Sequence, residues 1–401
     1  MPFAVLQFAS ITSIVSGSMM FLVLPWLCIQ ITGQASAAGL MLTLSNVPGL
    51  LVSPIIGSII DKFGRRRVGF ISELLMALLS LVFPLVAHSL GTSFWLIVLV
   101  SVVRALVGAG NSTARKALVP DTAAVANMSL ERANSIHEAV FSAGFAVGPA
   151  VGALAIGATG AYSAFWWAGG AGLAAALFAF AVRVVEKQEP ASADDDKSKP
   201  LRYALEGIRA LGRYPAVAII FAALLSISLI YIPTEMVVLP RYYNSIGMPE
   251  GLGTLISCMA GAGVVGSLAF EWIHRRMSYA NILRTTMFGI TAGIVPMSFL
   301  PPQPFMLAFG LILGFTWGPV IPLLNTVVQT MVPANLRGRV FSLEMAIWNA
   351  SPMISFIIIG IAVDSLGVQP VYWVLAAGVL LASILVSLAP QMRALSESRH
   401  D

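Results

Sequence analysis

The sequence predicts an all-α integral membrane protein with twelve transmembrane helices in two pseudo-symmetric six-helix bundles, and three observations predict it. The first is composition: of 401 residues, 58% are hydrophobic and 10% are charged, and the mean hydropathy is +0.87. A soluble domain carries charge on about a quarter of its residues, so this chain lacks the material for a water-facing shell. The second is continuity. A bilayer core asks for about 20 apolar helical residues per crossing, and the chain divides into twelve such stretches: 3–31, 37–60, 68–88, 93–117, 133–157, 162–184, 215–239, 251–273, 280–300, 304–331, 340–363 and 369–391. None of them shows the in-out alternation of a lipid-facing strand, so they are expected to be helices. The third is a single long polar connection, residues 186–213, which divides the chain nearly in half.

Taken in order, the first stretch is a retained span. It lacks a basic leader and a small-residue cleavage site, and its apolar run to about Ile31 is longer than a signal peptide's hydrophobic region. The remaining spans are oriented by their flanking lysines and arginines. Lys62, Arg65, Arg66, Arg67, Arg115, Lys116, Arg132, Arg275, Arg276, Arg284, Arg337 and Arg339 all fall in connections on one side, together with the basic residues between Arg183 and Arg213. The opposite connections, around Gly33, Ser89, Gly160, Pro302 and Gly367, carry none, and only Arg241 departs from the pattern. Both termini are therefore expected in the cytoplasm, in a multi-pass membrane protein. The same distribution assigns the net charge of +5 to topology and anionic headgroups rather than to nucleic acid. Cys28 and Cys258 lie in apolar runs and offer neither a disulfide framework nor a metal site.

The expected domains are an N-terminal bundle over 1–185, a cytoplasmic linker over 186–213 and a C-terminal bundle over 214–401. The linker contains Asp194, Asp195, Asp196, Lys197 and Lys199, a flexible composition. After Pro200, the sequence LRYALEGIRALGR places Leu201, Leu205, Ile208 and Leu211 on one face of a short interfacial helix. Sliding residues 132–166 forward by 207 positions matches Arg132 with Arg339, Ser135 with Ser342, Ala139 with Ala346, Gly160 with Gly367 and Trp166 with Trp373. A duplicated six-helix unit produces such matches, and parallel repeats of this kind bind substrate between halves that rock against each other.

Three motifs carry a family resemblance. After span two comes GSIIDKFGRRRV, with Gly57, Asp61, Lys62, Gly64, Arg65 and Arg66. Gly57 allows close helix contact, Gly64 a tight turn, and Asp61 accepts hydrogen bonds from arginines or a helix N-terminus. A purely topogenic basic loop is the alternative, but it would not call for the aspartate and both glycines. Span four holds Arg104 with Gly108 and Gly110 behind it, and an arginine halfway along a span faces the protein interior. Span five reads SAGFAVGPAVGALAIG, where Gly144, Gly148 and Gly152 recur every fourth residue beside Pro149 and form a smooth packing stripe.

Together these resemble the signature loop, the span-four motif and the antiporter motif of the major facilitator superfamily, in its twelve-span drug and macrolide efflux branch. The resemblance implies a secondary active exporter of lipophilic or amphipathic small molecules, working by alternating access and proton antiport. It implies no enzyme activity and no cofactor, and a monomer is expected. In the superfamily, the signature loop latches the cytoplasmic side against span eleven. The span-four arginine is held to influence proton transfer, with pairing to backbone carbonyls or a neighbouring acid as the alternative here. Span five faces span eight, which has its own small residues Ala260, Gly261, Ala262, Gly263 and Gly266; ordinary helix packing is the other reading of these glycines. In the second half, GSLAFEWIHRR keeps only a remnant of the signature loop.

Acids inside spans are the physical candidates for proton coupling, because low dielectric favours the neutral carboxyl. Glu73, Glu138 and Glu344, together with Arg104, form the candidate set. Span one has no acid, where many drug exporters of the superfamily carry one. Glu235, near the outer end of span seven beside Arg241, reads as a solvated or salt-bridged gate residue, and His137 as a hydrogen-bonded structural histidine. Phe141, Phe145, Trp317, Met345, Trp348 and Asn349 suit a cavity for lipophilic substrates, with lipid-facing or packing roles as the alternative. Two further readings remain: a siderophore or lysolipid exporter of the same fold, and a non-transporting membrane sensor.

Overall fold

The computed structural model describes residues 2–184 and 212–397. The linker and most of its expected amphipathic helix lie outside these. So do the side chains at Asp61 and Asn349 and the surroundings of Gly57. Each expected span falls on helix. The first half contains α1 (Pro2–Thr32), α2 (Ala35–Phe63), α3 (Arg65–Leu90), α4 (Phe94–Val125), α5 (Leu130–Thr159) and α6 (Ala161–Ala181). Span seven is α7 (Pro215–Pro233), a π-helical turn over Thr234–Val238, and α8 (Leu239–Ser245). Then follow α9 (Pro249–Leu268), the short α10 (Phe270–His274), α11 (Tyr279–Met297), α12 (Gln303–Trp317), α13 (Val320–Met331), α14 (Ala334–Leu366), α15 (Val368–Leu388) and α16 (Gln391–Glu397). Among the described residues, ten segments are long and apolar enough to cross a membrane.

Local sequence explains the ends of these helices. Ser93, Ser129 and Ser278 cap α4, α5 and α11, each hydroxyl accepting a backbone N–H three residues on. Three connections are single glycines in a left-handed conformation: Gly64 (φ 86°), Gly160 (φ 87°) and Gly367 (φ 87°). Only glycine takes such a φ without strain. Gly160 and Gly367, matched by the internal repeat, also share ψ values of 162° and 165°, and each donates its N–H to the carbonyl four residues back.

The chain forms two compact units, Met1–Asp195 with Pro240–Ser257 and Asp196–Leu239 with Cys258–Asp401. In the first, α1 is central. It packs on α5 and α6, while α3 packs on α4 and α6, and α2 on α4. Its most apolar stretch is 72% buried, against 39% for α3 to α6. In the second unit, α11 packs on α12 and α15, and α7 packs on α14.

Span five meets span eight as expected, but beside its glycine stripe, and the glycines themselves meet other partners. A Cβ at Gly144 would lie 2.8 Å from Ile14 Cγ2, one at Gly148 would fall on Ser18 Oγ, and one at Gly152 would lie 3.2 Å from the Met19 carbonyl. The antiporter-type stripe thus seats α1, and the Ser18 hydroxyl donates across the contact to the Gly144 carbonyl at 3.1 Å. The next face of α5 meets the start of α9, within the first unit. A Cβ at Gly253 would fall on Ala153 and lie 2.9 Å from the Pro149 carbonyl. The small residues farther along α9 pack on α12 and the break after it: Gly266 against the Phe315 carbonyl, and Gly318 against the Gly263 carbonyl. A four-residue small repeat licenses close backbone approach without naming the partner, so the stripe alone did not identify α1.

Candidate functional site

At the α2–α3 corner, Gly64 turns the chain in one residue and directs the two following arginines in different directions. Arg65 Nη1 lies 3.2 Å from Asp121 Oδ2 on α4 and donates to the Ala117 carbonyl at 3.1 Å. Arg66 donates to the Phe180 carbonyl at the end of α6 at 2.9 Å. Lys62 stays exposed, its ammonium 5.4 Å from the Phe63 ring centroid. The loop therefore ties the ends of α3, α4 and α6 together. Asp121 was absent from the expected set.

Deeper in the first unit lies a buried polar core. Glu73 on α3 is 2% exposed, and its Oε1 accepts from Arg115 Nη1 at 3.0 Å and from Asn111 Nδ2 at 2.8 Å. Asn111 also donates to Ser13 Oγ on α1 at 3.2 Å, while its own Oδ1 is buried without a partner. Two turns away on α4, Arg104 donates to Ser80 Oγ at 2.5 Å and to the Met76 carbonyl at 3.3 Å. Of the two pairings weighed for Arg104, the carbonyl one is present, joined by a hydroxyl. Gly108 and Gly110 face α3, where an added Cβ would make ordinary contacts, 3.6 Å from Met76 Cε and 3.5 Å from Ser72 Oγ.

Arg115 had been counted with the basic connection after span four; it is instead 9% exposed and belongs to this core. A signal was present, because Arg104, Asn111 and Arg115 recur at helical spacing on one face of α4. His137 is buried, with Nδ1 3.1 Å from Gln7 Oε1, the structural hydrogen bond expected of it.

The other acids lie in different settings. Glu138 is exposed and pairs with the equally exposed Lys116 at 3.4 Å. Its carboxylate therefore has a cation partner rather than standing alone in the span. Glu344 on α14 is partly buried, and its Oε1 accepts from Trp348 Nε1 at 3.4 Å. Glu235 lies in the π-helical turn with Tyr231 as its hydrogen-bonding neighbour. It makes no ion pair among the described residues, so of the two readings, solvated or salt-bridged, the salt bridge is not formed there.

Each unit also gathers aromatic rings. Phe145 meets Phe21 at 5.5 Å and Phe141 at 6.3 Å between ring centroids, joining α1 and α5. In the second unit, Trp317 lies 5.6 Å from Trp348 and 5.8 Å from Tyr231. Met345 is exposed.

Apolar helices of membrane-crossing length, packed through glycine contacts around a buried ion pair, define a polytopic membrane protein. The Major Facilitator Superfamily model matches residues 6–349, and the chain belongs to that superfamily. It is 30% identical over 403 residues to the multidrug efflux pump Tap of Mycolicibacterium fortuitum, covering 98% of this chain and 97% of the relative. It is 22% identical to the macrolide efflux protein A of Streptococcus pyogenes, covering 88% and 87%. A mutant form of the nucleoside transporter NupG shares the fold, with a TM-score of 0.79, 12% identity and coverage of 97% and 100%. The protein is thus an all-α membrane transporter with the superfamily fold, and transport of small molecules rather than catalysis is the family's activity.

Proposed function

We propose that this transporter exports lipophilic or amphipathic small molecules, of the multidrug or macrolide type, across the inner membrane in exchange for protons. The observation that carries the reading is a relationship spanning 98% of the chain to a protein named as a multidrug efflux pump. Both termini are placed in the cytoplasm, on the strength of the lysine and arginine distribution. Two six-helix halves, 1–185 and 214–401, alternate access to a path between them.

The contacts of each acid bear on coupling. Glu73 already has a guanidinium partner in Arg115. Glu138 is exposed. Glu344 is partly buried and makes no ion pair among the described residues, which makes it the strongest of the sequence candidates for the coupling proton.

Inside-out vesicles reconstituted with the full chain test this. An acidic lumen is expected to accelerate uptake of a transported drug severalfold over the rate without a gradient. Glu344→Gln should lose that acceleration while keeping gradient-independent counterflow. Drug flux indifferent to the gradient in the parent protein would remove proton coupling, and an unaltered response in Glu344→Gln would remove Glu344 from the role.

A further inference from the structure

Where α3 begins and α6 ends, a cavity of about 400 Å³ opens between Arg66, Arg67, Phe70, Phe180 and Val184. Two of these lining residues are arginines, two are phenylalanines, and none is an acid. Arg66 is held to the α6 side by its bond to the Phe180 carbonyl at 2.9 Å. Arg67 is exposed and makes no ion pair among the described residues. The Phe70 and Phe180 rings meet at 5.4 Å and 53°, joining α3 to α6.

The charged and apolar groups lie at different depths. Phe70 and Ile71 follow Arg66 and Arg67 by four residues, so each lies about 6 Å farther into the span on the same face. Below Arg67, every exposed residue of α3 as far as Leu85 is apolar: Ile71, Leu75, Leu78, Val82 and Leu85 itself. On α6, Leu177 is exposed one turn below Phe180.

A pair of guanidinium groups above a continuous apolar track matches an amphiphile with an anionic head. A soluble anion would use the arginines and leave the track idle. Guanidinium forks fit phosphate oxygens through parallel hydrogen bonds, and basic pockets between membrane helices on the cytoplasmic side are suited to anionic headgroups. The lysine and arginine distribution supports that side for this corner. We infer that the cavity binds one anionic phospholipid, with Arg66 and Arg67 at its phosphate, Phe70 and Phe180 beneath the headgroup, and an acyl chain along α3. This lipid is a resident of the protein's edge and not a transported compound, so the site does not depend on the export reading.

Native mass spectrometry of the detergent-solubilised full chain, titrated with phosphatidylglycerol or with phosphatidylcholine of the same acyl chains, tests the site. Thermal unfolding gives a second readout, and neither requires transport. The parent protein is expected to bind one phosphatidylglycerol at least tenfold more tightly than phosphatidylcholine, and that lipid should raise its melting temperature. Arg67→Gln should weaken phosphatidylglycerol binding at least fivefold and lose the thermal gain, while melting with the parent in lipid-free detergent. Arg393→Gln removes the same charge from an exposed arginine on α16 and should keep the affinity within twofold of the parent. Equal affinity of the parent for the two lipids, or equal losses in Arg67→Gln and Arg393→Gln, overturns the site. Displacement of the lipid by millimolar inorganic phosphate would make the occupant a soluble anion and overturn the lipid assignment. Phosphatidylglycerol binding that appears only when Asp194→Asn, Asp195→Asn and Asp196→Asn are combined would give the cavity to the acidic run of the linker, and overturn it as well.

Discussion

Replacing Arg115 with methionine is expected to destabilise the first unit by about 3–5 kcal/mol, the cost of stranding one member of a buried ion pair. Glu73 and Arg115 have side-chain exposures of only 2% and 11%, and their 3.0 Å contact joins α3 to α4. Without the guanidinium, Asn111 Nδ2 and no other described side chain would donate to the Glu73 carboxylate. The double variant Glu73→Leu, Arg115→Met removes both charges and should recover most of the loss, since apolar pairs often replace buried ion pairs without cost. Thermal unfolding of the detergent-solubilised protein, followed by size-exclusion profile across the four members of the cycle, measures the coupling. Additive effects of the two substitutions would contradict the pairing. A double variant that folds and keeps its response to a proton gradient would make Glu73 an anchor; one that folds and loses the response would return Glu73 to the coupling candidates.

Gly148→Leu is expected to disrupt the α1–α5 contact, and even Gly148→Ala should be felt. The added Cβ would fall on Ser18 Oγ and 2.9 Å from the Val15 carbonyl. Part of that obstacle is backbone, which cannot rotate aside. Overpacking of this kind costs about 1–3 kcal/mol, and retreat of α1 would also break the 3.1 Å bond from Ser18 to the Gly144 carbonyl. Because α1 is more deeply buried than α3 to α6, the effect should spread to its contact with α6, where Ser16 donates to the Ala168 carbonyl at 2.8 Å. Gly170→Leu is the matched control: it adds the same side chain on α6 where nothing lies within 4 Å of the new Cβ. The expected result is a melting temperature lowered by Gly148→Leu and little changed by Gly170→Leu. Equal effects would mean that glycine content, and not this contact, sets the stability.

Both predictions turn on what one helix presents to another, and there the sequence was least legible. The small-residue stripe of span five was visible, and span five does meet span eight, through Pro149 and Ala153 against Gly253, yet its glycines Gly144, Gly148 and Gly152 seat α1 instead. Arg115 was counted with a basic connection because it lies near the end of an apolar run, and burial against Glu73 assigned it to the core. Glu235 was expected beside Arg241 from proximity in sequence. The π turn between two prolines sets its helical phase, and proximity along the chain carries no information about phase.

What the sequence determined by itself was where the apolar helices lie, the turn at Gly64 and the family. These depend on local physics: in lipid a helix satisfies its own backbone hydrogen bonds, so an apolar run of sufficient length needs no partner to declare itself. What only the tertiary structure decided was which side chains share a site: Asp121 with Arg65, Asn111 and Arg115 with Glu73, and Tyr231 with Trp317 and Trp348. Those pairings depend on the rotation and depth of separate helices, which hydropathy leaves free and close packing alone selects.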